Sequence, residues 1–505
     1  MFKFRREVYL DNNATTPVRK EVRRKINATL KNCYGNPSSL YKNARNSAEI
    51  LEDARKIVSL SLNVSSTEII FTGSASEANN TVIKTIFELN NSKKNKIISS
   101  PIEHPSVISV LEYLKTRGAE IEYCRIDKFG TIDINALEKQ IDNNTALVIC
   151  MLANNETGII QNIKAISKVT KTKGVYLLSD CVQALGKIPV DLKDLDVDYA
   201  VFSAHKIYGP KGIGLLYVRN NCPIQPLIHG GHQERGIRAG TENTHNIAGF
   251  AEACKFIPQM LAENSNLKKL TLSFAGKLKQ INSDLIINTL FEKSLPNTLS
   301  VTFPGINNAV FMALLDYYGI SVAAGSACNT QDDRPSHVLS ALGISAEYSR
   351  NTLRFSLGHS TSEKDIEYVL SVIKNYFKDQ SFPVTIISPR QLNENMLFDE
   401  NNYILDVRYW HDRKLLKSLP NSYEANPSFI KKNFHILPND KQIIVICQSG
   451  YDGPFVSLFL KSKGFKNVAF VFAGLIAWKL YNSDLYSKYA GLNIKNLITE
   501  NKFAK

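Results

Sequence analysis

Short apolar runs alternate with amphipathic stretches up to about residue 375, and this alternation restricts the fold more than any other feature of the chain. Apolar runs of this length are typical of buried strands, and the amphipathic stretches between them are typical of crossover helices. The pattern therefore predicts a parallel α/β architecture. Six candidate strands carry it: Glu68–Phe71, Lys96–Ser99, Leu147–Leu152, Val175–Ser179, Tyr199–Phe202 and Gly214–Val218.

A second pattern begins after a helical stretch predicted for Ser362–Lys378. The segment 379-DQSFPV-384 has the character of a linker, and three further apolar runs follow it, 403-YILDVR-408, 443-IIVICQSG-450 and 468-VAFVFAGLIAW-478. They predict a separate α/β unit of about 120 residues, within the usual size of a domain.

Composition excludes several classes of protein. Of the 505 residues 44% are apolar and 21% are charged, which is typical of globular chains and not of disordered or coiled-coil ones. No stretch approaches the roughly 18 consecutive apolar residues of a membrane helix, and Met1–Asp11 lacks the apolar core of a secretory signal. The eight cysteines are scattered and form no CxxC pair, so we expect a reducing cytoplasm and mostly buried, inert thiols.

The net charge of +14 is a weak indicator of function. Runs such as 90-NNSKKNK-96 are typical of solvated loops and helix ends, and no basic helix carries interleaved aromatic residues. We therefore expect no direct contact with nucleic acid.

Two charged side chains follow candidate strands in positions that suit a carbonyl cofactor. Lys206, in 201-VFSAHKIYGPKGIG-214, can form a Schiff base, although most lysines so placed are surface residues. Asp180, in 175-VYLLSDCVQALG-186, can pair with a protonated pyridine nitrogen or simply cap a helix. Ligands of open α/β sheets bind outside the carboxyl ends of the strands, where both residues lie.

Two further strand ends suit an anion and a proton carrier. The small residues of 69-IIFTGSASEANN-80 allow backbone N–H groups to approach a phosphate at a helix N-terminus, or they form an ordinary capped turn. His104, in 99-SSPIEHPSV-107, can stack on a cofactor ring and carry protons near neutral pH, or it is structural.

Together these elements resemble the fold-type I pyridoxal-phosphate enzymes, and the match sharpens to the cysteine desulfurases of the NifS/IscS class. The resemblance runs from about residue 7 to residue 375 and keeps the order of the family's motifs. The motifs that carry it are 9-YLDNNATTPV-18, 35-GNPSS-39, 154-NNETG-158, 203-SAHKIYGPKGIG-214, 229-HGGHQERGIRAGT-241, 325-GSACNTQDDRPSHVLSALG-343 and 352-TLRFSLG-358.

The resemblance implies roles for residues around pyridoxal 5′-phosphate. Lys206 would hold the cofactor as a Schiff base, Asp180 would pair with its ring nitrogen, and Gln183 would bond its phenolic oxygen. His104 would stack over the ring and transfer protons. The phosphate would be held by a further set, in which Ser76 replaces the usual threonine: Ala75, Ser76, Ser203, His205 and, from the neighbouring subunit of a homodimer, Thr241.

The substrate residues are implied in the same way. Asn155, beside the cofactor, and Arg354 would hold the carboxylate of L-cysteine, and the planar guanidinium suits that role.

Cys328 stands among small and polar residues typical of an exposed, mobile loop that favours a reactive thiol. The resemblance implies that its thiolate attacks the substrate sulfur, which leaves alanine and a persulfide on Cys328.

The loop from Cys328 to Pro335 has the long form of the desulfurases that hand sulfur to scaffold proteins, and Asn329 to Arg334 are more acidic than usual. We expect Cys328 to contact a nascent iron–sulfur cluster and expect no intrinsic metal site. In single-domain members a C-terminal extension helps to dock the cluster scaffold, whereas here another unit follows.

That second unit resembles a rhodanese in 404-ILDVR-408, 443-IIVICQSGYDG-453 and 473-AGLIAW-478. The family's cysteine loop ends in arginine, whereas the loop of Cys447 ends in Asp452, which should raise the pKa of the thiol. The usual Gly-His-x-Pro-Gly segment is degraded to 417-KSLPNSY-423. Two interpretations stay open: Cys447 relays sulfur from Cys328, or the unit is a degenerate binding or regulatory module.

The implied architecture is a fold-type I transferase followed by a rhodanese-like domain. We expect a large, mainly parallel sheet domain at about 12–260, a small α+β domain from 1–11 and about 261–378, a linker at 379–384 and the rhodanese-like α/β domain at 385–505.

The expected activity is desulfuration of L-cysteine that supplies sulfur for iron–sulfur cluster assembly, tRNA thiolation or both, through acceptor proteins such as a cluster scaffold. One alternative is a selenocysteine lyase or a related enzyme with the same cofactor. Another is a non-catalytic sulfur carrier or scaffold-binding protein, against which the set Lys206, Asp180, His104 and Cys328 argues.

Overall fold

The computed structural model describes residues 6–90, 94–324, 335–379 and 382–490. The strands are β1 (Val8–Tyr9), β2 (Ile69–Thr72), β3 (Lys96–Ser99), β4 (Glu120–Tyr123), β5 (Thr145–Ile149), β6 (Tyr176–Asp180), β7 (Tyr199–Ser203), β8 (Gly214–Val218), β9 (Ile286–Ile287), β10 (Thr298–Thr302), β11 (Ile320–Ser321), β12 (Ala323–Ala324), β13 (Thr352–Ser356), β14 (Thr385–Ile387), β15 (Asn402–Asp406), β16 (Tyr423–Glu424), β17 (Gln442–Ile446) and β18 (Val468–Val471).

The helices are α1 (Lys20–Asn32), α2 (Lys42–Ser61), α3 (Ala75–Asn90), α4 (Pro105–Lys115), α5 (Ile134–Gln140), α6 (Ile163–Thr172), α7 (Leu192–Leu195), α8 (Thr244–Cys254), α9 (Ile257–Ile281), α10 (Asn308–Tyr317), α11 (His337–Ala341), α12 (Ala346–Arg350), α13 (Glu363–Asp379), α14 (Glu394–Phe398), α15 (Trp410–Leu415), α16 (Pro427–Asn433), α17 (Asp452–Ser462), α18 (Gly474–Tyr481) and α19 (Ser483–Tyr489). Short 3₁₀ turns lie between them, including Ala204–Lys206 after β7.

A seven-stranded sheet in the order β2-β8-β7-β6-β5-β3-β4 forms the centre of the first part of the chain. All its neighbours are parallel except β8, which runs antiparallel to both β2 and β7. The mainly parallel sheet expected from the sequence is therefore confirmed. The edge strand β4 was not among the predicted strands, because its alternating 120-EIEY-123 is only partly buried and carries no apolar run.

Two apolar cores cover the two faces of this sheet. Successive residues of one strand belong to different cores: Ile98 and Val148 pack on one face, and Ile97 and Leu147 pack on the other. Because both faces are buried, the strands are continuous apolar runs in the sequence and do not alternate apolar with polar residues.

A smaller antiparallel sheet, in the order β12-β13-β10-β9, follows in the chain and packs with α9, α10 and α13 around a core of leucine and phenylalanine. The N-terminal strand β1 pairs in parallel with β11 in a separate two-stranded sheet. The backbone of residues 10–12 then runs beside Ser356 of β13, so the first residues of the chain lie between the two sheets. The exact domain boundaries near residues 12 and 260 stay a prediction.

The C-terminal part is a five-stranded parallel sheet in the order β14-β18-β17-β15-β16. Apolar cores cover both of its faces, and Trp478 is fully buried in one of them. Over the described ranges, no helix has both the length and the apolar character that a membrane crossing needs.

The two parts of the chain share an apolar interface. Val310 and Ala313 of α10 are buried in one cluster with Val456 and Leu460 of α17, and the two helices pack against each other. Helix α17 starts five residues after Cys447. The C-terminal unit therefore contacts the rest of the protein through the helix that follows its cysteine loop.

We predict that Ala313→Glu will lower the free energy of unfolding by about 3 kcal/mol, because it places a charge with no partner in this interface. Ala313 is 1% exposed. The matched control is Ala28→Glu on the exposed face of α1, which should change stability by less than about 0.5 kcal/mol. Chemical denaturation followed by circular dichroism measures both, and equal effects would contradict the interface.

Candidate active site

The carboxyl ends of five strands of the large sheet meet at one edge. Four of them, β3, β5, β6 and β7, are parallel, and β2 runs in the same direction because β8 separates it from β7. The residues that end or follow these strands are therefore brought together, as the sequence predicted: Ser74–Ser76, His104, Asn155, Asp180 and Ser203–Lys206.

A chain of hydrogen bonds joins Asp180 to His104. Asn79 of α3 donates from Nδ2 to Asp180 Oδ2 at 3.2 Å and to Ser106 Oγ at 3.0 Å. Ser106 in turn bonds His104 Nδ1, through its backbone N–H at 3.1 Å and its hydroxyl at 2.9 Å. The backbone N–H of Val182 donates to Asp180 Oδ1 at 3.0 Å. Asp180 is thus held on both carboxylate oxygens.

His104 is neutral at neutral pH in this setting. Burial lowers its pKa, Asp180 opposes that effect, and the charges of Lys206 and His337 add to it. Because Nδ1 accepts the Ser106 N–H, the single ring proton is on Nε2. The ring therefore presents Nε2–H as a hydrogen-bond donor.

The side chain of Lys206 contacts the N-terminal segment of the chain. Its Nζ donates to the carbonyl oxygens of Asn13 and Ala14, each at 2.7 Å. The 3₁₀ turn that carries it is held by the same segment, since Thr16 Oγ1 donates to the carbonyl of His205 at 2.9 Å.

A second lysine, which the sequence reasoning missed, is buried close by. Lys187 donates from Nζ to Gln183 Oε1 at 2.6 Å and to Asn13 Oδ1 at 2.8 Å. Gln183 Nε2 donates to the carbonyl of Asn13 at 2.9 Å. The same carbonyl accepts a hydrogen bond from Lys206 Nζ. Burial lowers the pKa of Lys187 well below its usual range, and Lys206 and Arg354 lower it further.

The candidate phosphate residues lie at the N-terminus of α3. Its first-turn N–H groups, which include those of Ala75 and Ser76, have no partner within a helix and favour an anion. Gly214 faces Ser203 across β7 and β8, and a Cβ atom added to it would lie 2.4 Å from the carbonyl carbon of Ser74. Only glycine allows this close approach.

His205 completes this end of the site. Burial lowers its pKa to about 4, and the charges of Lys206, Lys211 and Lys187 act in the same direction. Its Nδ1 bonds Thr15 Oγ1 at 3.1 Å. His205 is therefore neutral at pH 7 in the absence of a bound anion.

Arg354 and Asn155 are also brought together, with a third residue that was not predicted. Arg354 on β13 is 1% exposed and donates to the carbonyl of Asn155 at 2.9 Å and to Asp11 Oδ1 at 2.7 Å. The carboxylate of Asp11 thus holds the guanidinium in place. A substrate carboxylate would have to share Arg354 with Asp11.

Three predicted residues lie apart from this cluster. Thr241 is exposed on the surface of the chain. Cys328 lies outside the described residues. Cys447 belongs to the C-terminal unit, at the end of β17.

The thiol of Cys447 is 1% exposed, and the backbone N–H of Gly450 donates to its Sγ at 3.2 Å. Burial raises its pKa to about 11, with a further rise from the carboxylate of Asp452. Backbone N–H groups of Gly450, Asp452 and Gly453 oppose both effects. The predicted direction for Asp452 is confirmed, although burial is the larger cause.

Five other cysteines are held as unreactive thiols. Burial raises the pKa of Cys124, Cys181, Cys222 and Cys254 to about 12, and that of Cys150 rises well above its usual range. Within the described ranges, no cluster of three or more His, Cys, Asp or Glu is arranged to hold a metal ion.

Asn13, Lys187, Asp11 and Asn79 are the residues that sequence reasoning missed. Three of them stand inside motifs that were recognised, and Lys187 directly follows one. A usable signal was the density of polar residues in apolar surroundings, as in 11-DNNATT-16. Nothing local to these segments indicates that they meet.

Comparison with known proteins identifies two family matches. Residues 8–369 match the model of the Aminotransferase class-V family, and residues 388–481 match that of the Rhodanese-like domain. The cysteine desulfurase IscS of Dictyoglomus turgidum is 39% identical over 371 residues, which cover 73% of this chain and 94% of the relative. The cysteine desulfurase IscS of Clostridium botulinum is 38% identical over 378 residues, with coverages of 74% and 95%.

Solved structures give the same result. A NifS-like protein superposes with a TM-score of 0.70 at 38% identity and covers 74% of this chain and all of its own. A NifS-like protein from Rickettsia africae gives a TM-score of 0.67 at 32% identity, with the same coverages. The expected fold-type I architecture is thereby confirmed.

We predict that His205 makes the cofactor-free protein less stable in acid. Its folded pKa of about 4 lies below the ordinary 6.5, so the unfolded chain binds the proton more readily and the free energy of unfolding falls between these two values. The loss attributable to His205 is at most about 3 kcal/mol. His205→Asn should flatten that part of the pH profile measured by urea denaturation. Exposed His435→Asn is the control, and identical profiles for all three proteins would contradict the assignment.

Proposed function

This chain belongs to the cysteine desulfurases of the class-V aminotransferase family, and we propose that the residues gathered around Lys206 form the site where it acts. The protein is an enzyme that uses pyridoxal 5′-phosphate, so the alternative of a non-catalytic carrier is wrong. The observation that carries the proposal is the convergence of Lys206, Asp180 and His104 at one edge of the sheet.

The residues present fit the cofactor. The amine of Lys206 suits an aldehyde, and the fully held carboxylate of Asp180 suits a protonated pyridine nitrogen. The missing Cβ of Gly214 lets β8 pack against Ser74 and Ala75 at the N-terminus of α3, whose first N–H groups suit a phosphate. When bound, the cofactor supplies an electron sink for the bonds to the substrate's α-carbon.

His104 and Arg354 are proposed to act on the substrate. The neutral ring of His104 donates the hydrogen bond of its Nε2–H to the substrate, and it transfers a proton from Nε2 only when Nδ1 exchanges its Ser106 contact for a proton of its own. Arg354 and Asn155 bind the substrate carboxylate, and Asp11 orients the guanidinium for that contact.

Cys328 is proposed as the nucleophile. Its thiolate attacks the sulfur of L-cysteine, the carbon–sulfur bond of the substrate breaks and a sulfur–sulfur bond forms. The products are L-alanine and a persulfide on Cys328. The family relationship and the motif 325-GSACNTQDDRPSH-337 support this step.

We propose that the persulfide sulfur goes to Cys447 before it reaches acceptor proteins of iron–sulfur cluster assembly or tRNA thiolation. The backbone N–H groups around Cys447 Sγ suit the anion of a persulfide, which favours the relay over a purely regulatory module. Burial of the thiol and the carboxylate of Asp452 disfavour small sulfur donors such as thiosulfate.

A homodimer is part of the proposal. Thr241 is exposed at the end of the segment 229-HGGHQERGIRAGT-241, where it is available to the phosphate site of a second copy. Two non-glycine residues of this segment, Glu234 and Arg235, have positive φ, and Arg55 anchors Glu234 through two contacts of 2.8 Å. Such strain is maintained only where the surroundings enforce it.

We predict that Lys206→Ala will lose both covalent attachment of the cofactor and formation of L-alanine. Borohydride reduction followed by peptide mass spectrometry should attach the cofactor to the peptide that contains Lys206 in the parent. Exposed Lys168→Met is the control and should be labelled like the parent. Labelling of another lysine in the parent, or undiminished alanine formation in Lys206→Ala, would disprove the assignment.

The relay predicts that L-cysteine will produce persulfide on both Cys328 and Cys447 of the parent, but on neither in Cys328→Ser.

Asp452→Arg should lower the pKa of Cys447 by about one unit, because it exchanges a repelling charge for an attracting one. Alkylation of the full chain at a series of pH values, read at the Cys447 peptide, measures that change. An unchanged titration would contradict the role of Asp452, and Cys447 persulfide in Cys328→Ser would contradict the relay.

A further inference from the structure

We propose that Lys187 is a positioning residue that sets the orientation of the Gln183 carboxamide. The inference rests on the proposed contact between Gln183 and the phenolic oxygen of the cofactor. Both side chains are buried in the turn that follows β6, with exposures of 9% and 5%.

The neighbours of Gln183 allow one orientation of its amide. The carbonyl of Asn13 only accepts hydrogen bonds, so at 2.9 Å it must face the amide nitrogen. Lys187 Nζ donates to the amide oxygen at 2.6 Å, which is the orientation that the Asn13 carbonyl requires. If the amide turned over, it would place its oxygen against the Asn13 carbonyl and its nitrogen against Lys187.

This orientation has a chemical consequence. One of the two hydrogens on Gln183 Nε2 is used by Asn13, which leaves the second for an acceptor on the cofactor. A donor to the phenolic oxygen stabilises its anionic form. Lys187 therefore acts on the cofactor through Gln183, without touching it.

Lys187 is itself held in one place. Its second acceptor is Asn13 Oδ1, at 2.8 Å. That oxygen also accepts a hydrogen bond from Asn297 Nδ2 at 3.1 Å. The charged and titratable groups that face Lys187 come from several elements: Lys206, His205, Arg354 with its partner Asp11, and His359 with its partner Glu263. Because most of these groups are cationic, a direct charge effect of Lys187 has to be separated from its hydrogen bond.

A double-mutant cycle on the cofactor-loaded enzyme tests the proposal. The readout is the pH midpoint of the visible absorbance of the bound cofactor, which a purely structural lysine would not move. Lys187→Met should raise the midpoint by about one pH unit in the parent and by less than about 0.3 pH unit in a Gln183→Met background. Lys168→Met on the surface is the control.

The outcomes separate this inference from the function on which it rests. If Gln183→Met itself leaves the midpoint unchanged, the proposed contact of Gln183 with the cofactor fails. If Gln183→Met moves the midpoint and Lys187→Met does not, or if Lys187→Met moves it equally in both backgrounds, the positioning role alone is overturned.

Should Lys187→Met fail to fold, Lys187→Gln replaces it with the opposite expectation. That variant keeps a donor, so its midpoint should stay within about 0.3 pH unit of the parent, and a midpoint about one pH unit higher would overturn the proposal.

Discussion

The hydrogen bonds of Asn13 hold the site together. Its carbonyl accepts from Lys206 and Gln183, its side-chain oxygen accepts from Lys187, and its Nδ2 donates to the carbonyl of Asn155 and to Thr298 Oγ1. Each bond is formed inside the protein, where an unsatisfied polar group would cost about 1–3 kcal/mol. One residue near the N-terminus thus joins the lysine turn, the turn after β6 and the smaller sheet.

The sequence was sufficient to predict the class of fold and most of the residues that the structure brings together at the candidate site, for a physical reason. Strands buried on both faces leave apolar runs, and residues such as Asp180 and His104 can be recognised because they end such runs. The bounds of the predicted strands differed by at most one residue, except that Leu147–Leu152 became Thr145–Ile149. The roles of Asn13, Asp11 and Lys187 could not be predicted, because they depend on contacts between segments 142 to 343 residues apart.

The C-terminal unit presents a different balance of forces. Its cysteine loop has the N–H groups that favour an anion, yet Cys447 lies so deep that burial outweighs them. The buried pair of Arg408 and Asp406, at 2.7 Å, supports this loop through the contact of Arg408 with Gln448 at 3.3 Å. A thiol in such a place suits a reaction with one positioned donor better than a reaction with solutes from the solvent.

The pairing of Arg354 with Asp11 also bears on how the protein is made. The two residues are separated by 343 positions, and ribosomes add residues in order from the N-terminus. The large sheet can assemble while synthesis continues, whereas its N-terminal segment must wait for β13 before Asp11 and Asn12 find their partners. Contacts of such long range slow folding, because the loop must close before any contact rewards it. The proposed substrate site is therefore one of the last features to form, and a nascent chain short of β13 would have the large sheet without Arg354.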